Sequence, residues 1–257
     1  MNIELEYLSF SRLKALSVCP RELKRYLTEK PEPSDAMNEG SLLDCLLFTP
    51  EDTLRRFHFW EKQSRTTKDG KAAFAEALEK ADGRILMTTE QQAKAEFLAD
   101  CVDRCTFVRE AALLNPDHFN FQQKIEFSAF GWTHKGVPDA VQIPRVTQAL
   151  DEHAIWDLKK MGNHAGEWAV KSQIRAMQYD LQAAIYCHEF DLIGMPCRYY
   201  VIAVSDSGYV TPVEITVEAR NKAFERWAKL IEIANYCKFA GLDDGPEVFA
   251  ADGRFIF

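Results

Sequence analysis

The sequence predicts an α/β domain in which a central mixed sheet is flanked by helices and preceded by a mainly helical N-terminal part. Helix-start signals recur through the first hundred residues, a hydrophobic period of two begins at Phe121, and later strand-like runs alternate with amphipathic stretches. The chain has 257 residues, 47% of them hydrophobic, and can bury one large core. We therefore expect a single domain, mainly helical over residues 1–118, with a sheet core and covering helices over residues 119–257.

Prolines and capping residues give the N-terminal part its helical prediction. Pro20 and Pro50 suit the first turns of two helices, because proline lacks an N–H that would be unpaired there. Thr88 and Thr89 are each followed three residues later by glutamine, which is the pattern of a capping box. A helix from there to about Cys105 is expected.

Three strands are expected in the middle of the chain. Alternating apolar residues predict the first over residues 121–129 and, after a turn over residues 131–136, the second over residues 137–143, where Asp139 falls in an apolar row. The third covers residues 154–159, and a long helix from about residue 167 to 190 then covers the sheet. Further elements are expected as strands at 198–204 and 213–216 and a closing helix at 217–237.

Charge and composition exclude several classes of protein. The formal net charge of −8 argues against a protein that coats nucleic acid, although local basic clusters can still meet phosphates. Seven cysteines without a Cys-x-x-Cys pair fit reduced thiols in a core. No apolar run is long enough to span a bilayer, and no basic start leads into an apolar stretch. A cytoplasmic protein without membrane association is expected.

Asp139 and Asp157 are candidates for a site with two carboxylates. A carboxylate in an apolar row carries a large desolvation cost unless it is ion-paired or binds a cation. For Asp139 alone, an ordinary buried ion pair is the commoner explanation. Asp157 lies 18 residues downstream, far enough for the two strands to pair, and Lys159 shares a face with it.

Two carboxylates and a main-chain oxygen are hard donors that suit Mg²⁺ or Mn²⁺. We expect Asp139, Asp157 and the backbone carbonyl of Leu158 to be the ligands. Lys159 would orient or help deprotonate an attacking water and offset charge on a phosphate. Gln182 and Tyr186 lie four residues apart on the following helix and therefore face the same way. They either support this site or simply pack on the sheet.

Taken in order, several segments resemble the PD-(D/E)XK nucleases, and in particular the RecE-like exonucleases of phages and prophages (exonuclease VIII type). The segments are residues 8–14 with Cys19-Pro20-Arg21, residues 39–47 followed by Pro50-Glu51, residues 65–71, Gly136-Val137-Pro138-Asp139, residues 155–159 and residues 179–186. They span most of the chain, and their combination is more specific than any one of them.

The resemblance implies a restriction-endonuclease-like core with defined roles. Asp139 and Asp157 would hold the metal, and Lys159 would be the catalytic lysine. Gln182 and Tyr186 would form an adjoining motif that supports the site or touches DNA.

The resemblance also points to residues outside that motif. Asp44 takes the place of the family's helix histidine and is expected at the metal or its water shell. Glu126 stands where related enzymes often carry another acid. Arg65, Lys68 and Lys71 are candidate DNA contacts, the alternative being an ordinary solvated loop.

The activity implied by the resemblance is Mg²⁺-dependent exodeoxyribonuclease action, with Mn²⁺ as the other candidate ion. Linear double-stranded DNA would be degraded from the 5′ end to leave 3′ single-stranded tails for recombination. A homo-oligomeric ring and a RecT-like single-strand-annealing recombinase as partner are also implied. Lys160 departs from the threonine that the family often carries after Asp-x-Lys. Two alternatives stay open: another DNA nuclease on the same fold, either single-strand-specific or an endonuclease, and an inactive DNA-binding relative.

Overall fold

The computed structural model describes residues 5–29, 32–142, 153–162, 166–192 and 194–242. Its helices are α1 (Phe10–Val18), α2 (Pro20–Thr28), α3 (Asp35–Phe48), α4 (Thr53–Arg56), α5 (Lys68–Ala81), α6 (Thr89–Arg104), α7 (Thr106–Glu110), α8 (Glu167–Met177), α9 (Tyr179–Leu192) and α10 (Val217–Ala240), with a 3₁₀ turn at Pro50–Asp52. Its strands are β1 (Leu8–Ser9), β2 (Phe57–Trp60), β3 (Ile85–Thr88), β4 (Phe119–Phe121), β5 (Ile125–Ala129), β6 (Trp132–Gly136), β7 (Ala140–Gln142), β8 (His153–Lys160), β9 (Cys197–Val204) and β10 (Val210–Ile215).

The central sheet has the strand order β10-β9-β8-β7-β4. Strands β8 and β9 run parallel, and the other neighbours are antiparallel. A parallel pair needs a long crossover, which α8 and α9 provide between β8 and β9. The predicted mixed sheet with helices around it is confirmed.

Side chains alternate across β8 and build a core on each face of the sheet. Ile155 packs in a cluster with residues of α1, α9 and α10, whereas Trp156 and Leu158 pack in a second cluster with residues of α3, α6 and α7. Residues 153–158 are all buried, as expected for a strand covered on both faces. By the same alternation, Asp157 and Lys159 project to the side of α1 and α9.

The strand predicted over residues 137–143 is shorter than expected, and most of the turn predicted before it is itself a strand. Residues 132–136 form β6, whereas within the predicted strand only Ala140–Gln142 form β7. Strand β6 lies in a sheet of order β1-β6-β5, and β7 lies in the central sheet. Pro138 sits in the gap and has no N–H for a ladder, which is a physical reason for the break. Residue 143 lies outside the described residues.

Two further predicted elements are each divided into two. The strand expected over residues 121–129 is β4 and β5, because Gln122 adopts φ 50° and turns the chain between them. The helix expected over residues 167–190 is α8 and α9, since Gln178 takes a left-handed conformation with φ 57°. Alternating hydrophobicity does not reveal these single-residue turns.

The N-terminal part is mainly helical, as predicted. The capping box of α6 is present, with Thr88 and Gln91 each bonded to the other's backbone N–H. The sequence did not predict β2 and β3, which pair in parallel as a small sheet of their own. Short apolar runs of four residues carry too little periodicity to separate a strand from a helix. No helix in the described ranges is both long and apolar enough to cross a membrane.

His134 provides a test of this packing. Its side chain is fully buried on β6, stacked on Phe127 with ring centroids 5.3 Å apart and edge-on to Trp227 at 4.9 Å. Burial lowers the pKa of His134 to about 4 from 6.5, against the opposing hydrogen bond with the Ala129 carbonyl. The unfolded state therefore binds more protons between these two pH values.

We expect the free energy of unfolding to fall by up to roughly 3 kcal/mol as the pH is lowered from about 6.5 to about 4. In His134→Phe this part of the pH dependence is lost, whereas the control His58→Phe, at a half-buried position of β2, retains it. Urea unfolding of the three proteins across this pH range measures the difference. An unchanged slope in His134→Phe would contradict the assignment.

Candidate active site

The register of β7 and β8 brings the two predicted aspartates together. Ala140 lies opposite Trp156 and Val141 opposite Ile155 in this antiparallel pair. One residue further, the same register sets Asp139 opposite Asp157, and residues opposite each other project from the same face. The hairpin expected from the 18-residue spacing therefore has the alignment that a shared site needs.

Hydrogen bonds hold the Asp139 carboxylate against β8. Its Oδ2 accepts from the backbone N–H of Leu158 at 2.7 Å, and its Oδ1 accepts from Nε2 of Gln122 at 3.1 Å. The backbone N–H of Gln122 also donates to the Asp139 carbonyl at 3.0 Å. Only 8% of Asp139 is exposed, so these bonds fix its orientation.

The Leu158 carbonyl is directed to the same place by the register. Leu158 donates its N–H towards β7, and in a strand the N–H and C=O of one residue lie on the same edge. Two residues beyond the Ala140–Trp156 pair, the position opposite Leu158 falls on Pro138, which has no N–H to donate. Pro138 therefore cannot donate the hydrogen bond that a sheet ladder would otherwise direct to the Leu158 carbonyl.

Asp157 is buried deeper and is held from two sides. It is 2% exposed, and its Oδ1 accepts from Nε2 of Gln182 at 3.2 Å. Its Oδ2 forms an ion pair with Nζ of Lys159. The Lys159 ammonium also lies 5.1 Å from the centroid of the Tyr179 ring.

Tyr186 lies against the backbone of Gly136. A Cβ built on Gly136 would come within 2.4 Å of the tyrosine ring, so glycine alone permits this approach. The glutamine and tyrosine predicted as a site motif therefore do different things: Gln182 binds a carboxylate, and Tyr186 packs on the segment that leads into Pro138-Asp139.

Asp44 approaches the site from α3. It is half-buried and lines a cleft of about 710 Å³ together with Lys159, Gln182 and Tyr186. Its neighbour Leu43 packs in the core cluster that contains Leu158, which places this helix next to the end of β8. The structure thus brings Asp44 to the predicted site.

The carboxylates repel one another. Burial, and then the charge of Asp139, raise the pKa of Asp44 well above its usual value. Burial, and then Asp157, raise the pKa of Asp139 to about 7. For Lys159, burial lowers the pKa, but Asp157 and Asp139 outweigh it and the net pKa is raised. Three carboxyl groups therefore lie close to one ammonium, beside the cleft that Asp44 and Lys159 line.

These donors fit a hard divalent cation. Asp139, Asp157 and the Leu158 carbonyl would hold it, with Asp44 on the helix side, and its charge would relieve the repulsion. Within the described ranges no three acidic, histidine or cysteine side chains already stand at metal-binding distance. Asp157 Oδ2 is engaged by Lys159, so cation binding requires that ion pair to loosen.

Some predicted residues lie elsewhere. Glu126 is exposed on β5 and pairs with Lys135 at 3.2 Å, so the structure does not bring it to the carboxylates and removes it from the ligand set. Arg65, Lys68 and Lys71 are exposed near the start of α5 and are not among the residues that line the cleft. Their contact with DNA stays a prediction.

The sequence did not predict two of the residues that lie at this site. Gln122, which holds Asp139, stands in an irregular segment that no motif marks. Lys14 of α1 lines the cleft, and its pKa is lowered by burial and then by Lys159. A signal for Lys14 was available, because it ends the first of the segments that carry the resemblance.

The model of a family described as a PDDEXK-like domain of unknown function (DUF3799) matches residues 9–233. The chain belongs to this family. Among solved structures, a putative exonuclease from Eubacterium rectale aligns with a TM-score of 0.60 at 14% identity, over 98% of this chain and 90% of that chain. This likeness shows a shared fold.

A second solved structure, that of SSO0001, has a TM-score of 0.35 at 10% identity, over 90% of this chain and 78% of that chain, which is too low to support an argument. No curated protein matches the sequence significantly. The PDDEXK-like family confirms the PD-(D/E)XK resemblance drawn from the motifs. The RecE-like assignment stays a prediction.

Gly136→Ala tests the close approach in this PDDEXK-like site. The added methyl group must displace the Tyr186 ring, and overpacking of this kind costs about 1–3 kcal/mol of unfolding free energy. Gly40→Ala on α3 is the matched control, since a Cβ there meets no atom within 4 Å and alanine favours a helix. Urea unfolding compares the two. Equal stabilities would show that the ring does not rest on Gly136.

Proposed function

We propose that the chain is a metal-dependent DNA nuclease that hydrolyses phosphodiester bonds at Asp139, Asp157 and Lys159. One observation carries the proposal: the β7–β8 register sets Asp139, the residue before β7, beside Asp157 of β8, and Lys159 pairs with Asp157. Structural ion pairs also bury acids, but they balance charge, whereas here burial and mutual repulsion raise the pKa of both Asp44 and Asp139.

Each residue has a separate part in this chemistry. A divalent cation, when bound, supplies a Lewis acid and lowers the pKa of a water. Asp139, Asp157 and the Leu158 carbonyl hold that ion. Lys159 brings positive charge to the phosphate and orients the attacking water. Gln182 acts through Asp157, whose carboxylate it keeps in one orientation.

The cleft above the site supports a nucleic-acid substrate. Lys14, Lys159 and Lys160 line it together with the acidic Glu22 and Asp44. Because the whole chain carries a net charge of −8, phosphate binding at this place would depend on these lysines and on a bound cation that offsets the carboxylates.

The finer activity that we propose is exonucleolytic. Linear double-stranded DNA would be degraded from the 5′ end with Mg²⁺ or Mn²⁺, leaving 3′ single-stranded tails for recombination. Support comes from the RecE-like motifs and from the shared fold with a protein named as a putative exonuclease. A homo-oligomeric ring and a RecT-like annealing partner belong to the same proposal. A single-strand nuclease, an endonuclease or an inactive DNA-binding relative are the alternatives.

Lys159→Ala tests the mechanism on end-labelled linear duplex with Mg²⁺. We expect the native protein to release label from the 5′ end and the variant to lose several orders of magnitude in rate, because the charge at the phosphate is gone. Lys229→Ala, on an exposed position of α10, is the matched control and should keep the native rate.

A closed circular duplex added in parallel separates the alternatives. Cleavage of the circle would mean an endonuclease, and equal rates for Lys159→Ala and the native protein would remove Lys159 from the mechanism. DNA binding without hydrolysis by the native protein, with either metal ion, would support the inactive relative.

Asp44 variants test the third carboxylate. Asp44→Ala should weaken metal-dependent activity, and Asp44→His should retain part of it, since both aspartate and histidine can bind a metal. Asp44→Asn should also raise the melting temperature of the metal-free protein, because it removes repulsion with Asp139. Unchanged metal dependence in Asp44→Ala would show that Asp44 has no part at the ion.

A further inference from the structure

Four charged side chains form a closed ionic network beside the cleft. Nζ of Lys160 lies 3.1 Å from Glu39 and 2.8 Å from Asp206. Nζ of Lys94 lies 3.4 Å and 2.7 Å from the same two carboxylates. Each lysine bridges both acids, and we call these four residues the four-charge network.

The network joins parts of the chain that are far apart in sequence. Glu39 belongs to α3, Lys94 to α6, Lys160 to the end of β8, and Asp206 to the turn between β9 and β10. The side chains are between 12% and 37% exposed, so solvent screens these pairs less than it screens pairs on an open surface. The Asp206 backbone N–H also donates to the Gly162 carbonyl at 3.2 Å, close to the end of β8.

A short path leads from this network to the proposed ion. Glu39 and Asp44 lie on one uninterrupted helix, so a force that holds Glu39 also sets the position of Asp44. Lys160 directly follows Lys159, and both line the cleft. The Lys160–Glu39 pair is therefore a bridge between the helix that carries one carboxylate and the strand that carries another.

The bridge opposes a repulsion within the site. Asp139 and Asp157 repel the Asp44 carboxylate, and Lys159 offsets only part of this repulsion. The attraction of Lys160 for Glu39 holds the same helix beside β8. Holding like charges together before a cation arrives is what preorganises a metal site.

We propose that Lys160 is a positioning residue that holds α3, and with it Asp44, where the helix can share a cation with Asp139 and Asp157. This inference rests on the proposed function. It also gives a reason for lysine where the resemblance leads to an expectation of threonine, since a threonine side chain is too short to reach Glu39 and Asp206.

The experiment compares two lysines of the same network. Lys160→Met and Lys94→Met each remove one ammonium from the same two carboxylates, but only the first cuts the link between β8 and α3. The concentration of Mg²⁺ that gives half of the full thermal shift is measured for each full-length protein, without DNA. We expect a rise of about tenfold for Lys160→Met, as for other residues that orient metal ligands, and less than about twofold for Lys94→Met.

A second comparison shows whether Lys160 acts through Asp44. In an Asp44→Asn background, adding Lys160→Met should change the Mg²⁺ midpoint by less than about twofold, because the carboxylate that Lys160 positions is gone. Lys160→Arg should keep a near-native midpoint, since arginine can bind the same two acids. If Lys160→Met does not fold, Glu39→Gln replaces it: this variant weakens the pairs of Glu39 with both lysines, so a tenfold shift in it with less than a twofold shift in Lys94→Met again assigns the effect to the Lys160 pair.

These outcomes are separate from those of the proposed function. A tenfold rise of the Mg²⁺ midpoint for Lys94→Met as well would show that the network contributes only to general stability, and it would overturn the inference. A higher KM for DNA with an unchanged Mg²⁺ midpoint in Lys160→Met would make Lys160 a phosphate contact and also overturn it. Absence of DNA hydrolysis by the native protein would instead overturn the proposed function, whatever the lysine variants do.

Discussion

The antiparallel register between β7 and β8 is the constraint on which the site depends. It sets Asp139 opposite Asp157, and it sets Pro138 opposite Leu158. The proline ends the ladder, and the freed backbone of Leu158 serves the site: its N–H binds Asp139 and its carbonyl points to the same edge. A shift of one residue would send Asp139 to the other face of the sheet and remove the site completely.

The charge imbalance that this register creates explains much of the surrounding structure. Three carboxyl groups lie near one another, and among the described residues Lys159 forms an ion pair with one of them, Asp157. Burial raises the free energy of their charged forms. Gln122 donates a hydrogen bond to Asp139, and Gln182 donates one to Asp157. The four-charge network adds ion pairs between the neighbouring elements. Buried carboxyl groups that repel one another make this part of the structure less stable than neutral side chains would, and a bound cation would relieve that repulsion.

The sequence predicted the residues of this site better than the path of the chain. Residue type, spacing and strand periodicity agree at Asp139, Asp157 and Lys159, and the structure brings these three residues together as predicted. The mixed sheet followed from the same periodicity. The turns at Gln122 and Gln178 were missed, since one residue in a left-handed conformation leaves no mark in a hydrophobic pattern. Glu126 was misplaced because position in a motif does not show which way a strand faces.

The break at Gln178 shows why this missing detail matters for the chemistry. Its side chain donates to Ser17 of α1 at 2.8 Å, and α9 starts afresh at the next residue. From that start, the residues at helix spacings of three and then four form one face: Tyr179 lies by the Lys159 ammonium, Gln182 binds Asp157, and Tyr186 packs on Gly136. In a continuous helix over both segments, the rotation of α8 about its axis would determine the directions in which these three side chains project. The left-handed residue Gln178 lets α9 start with its own orientation, so this turn aligns the face of α9 with Asp157 and Lys159 of β8.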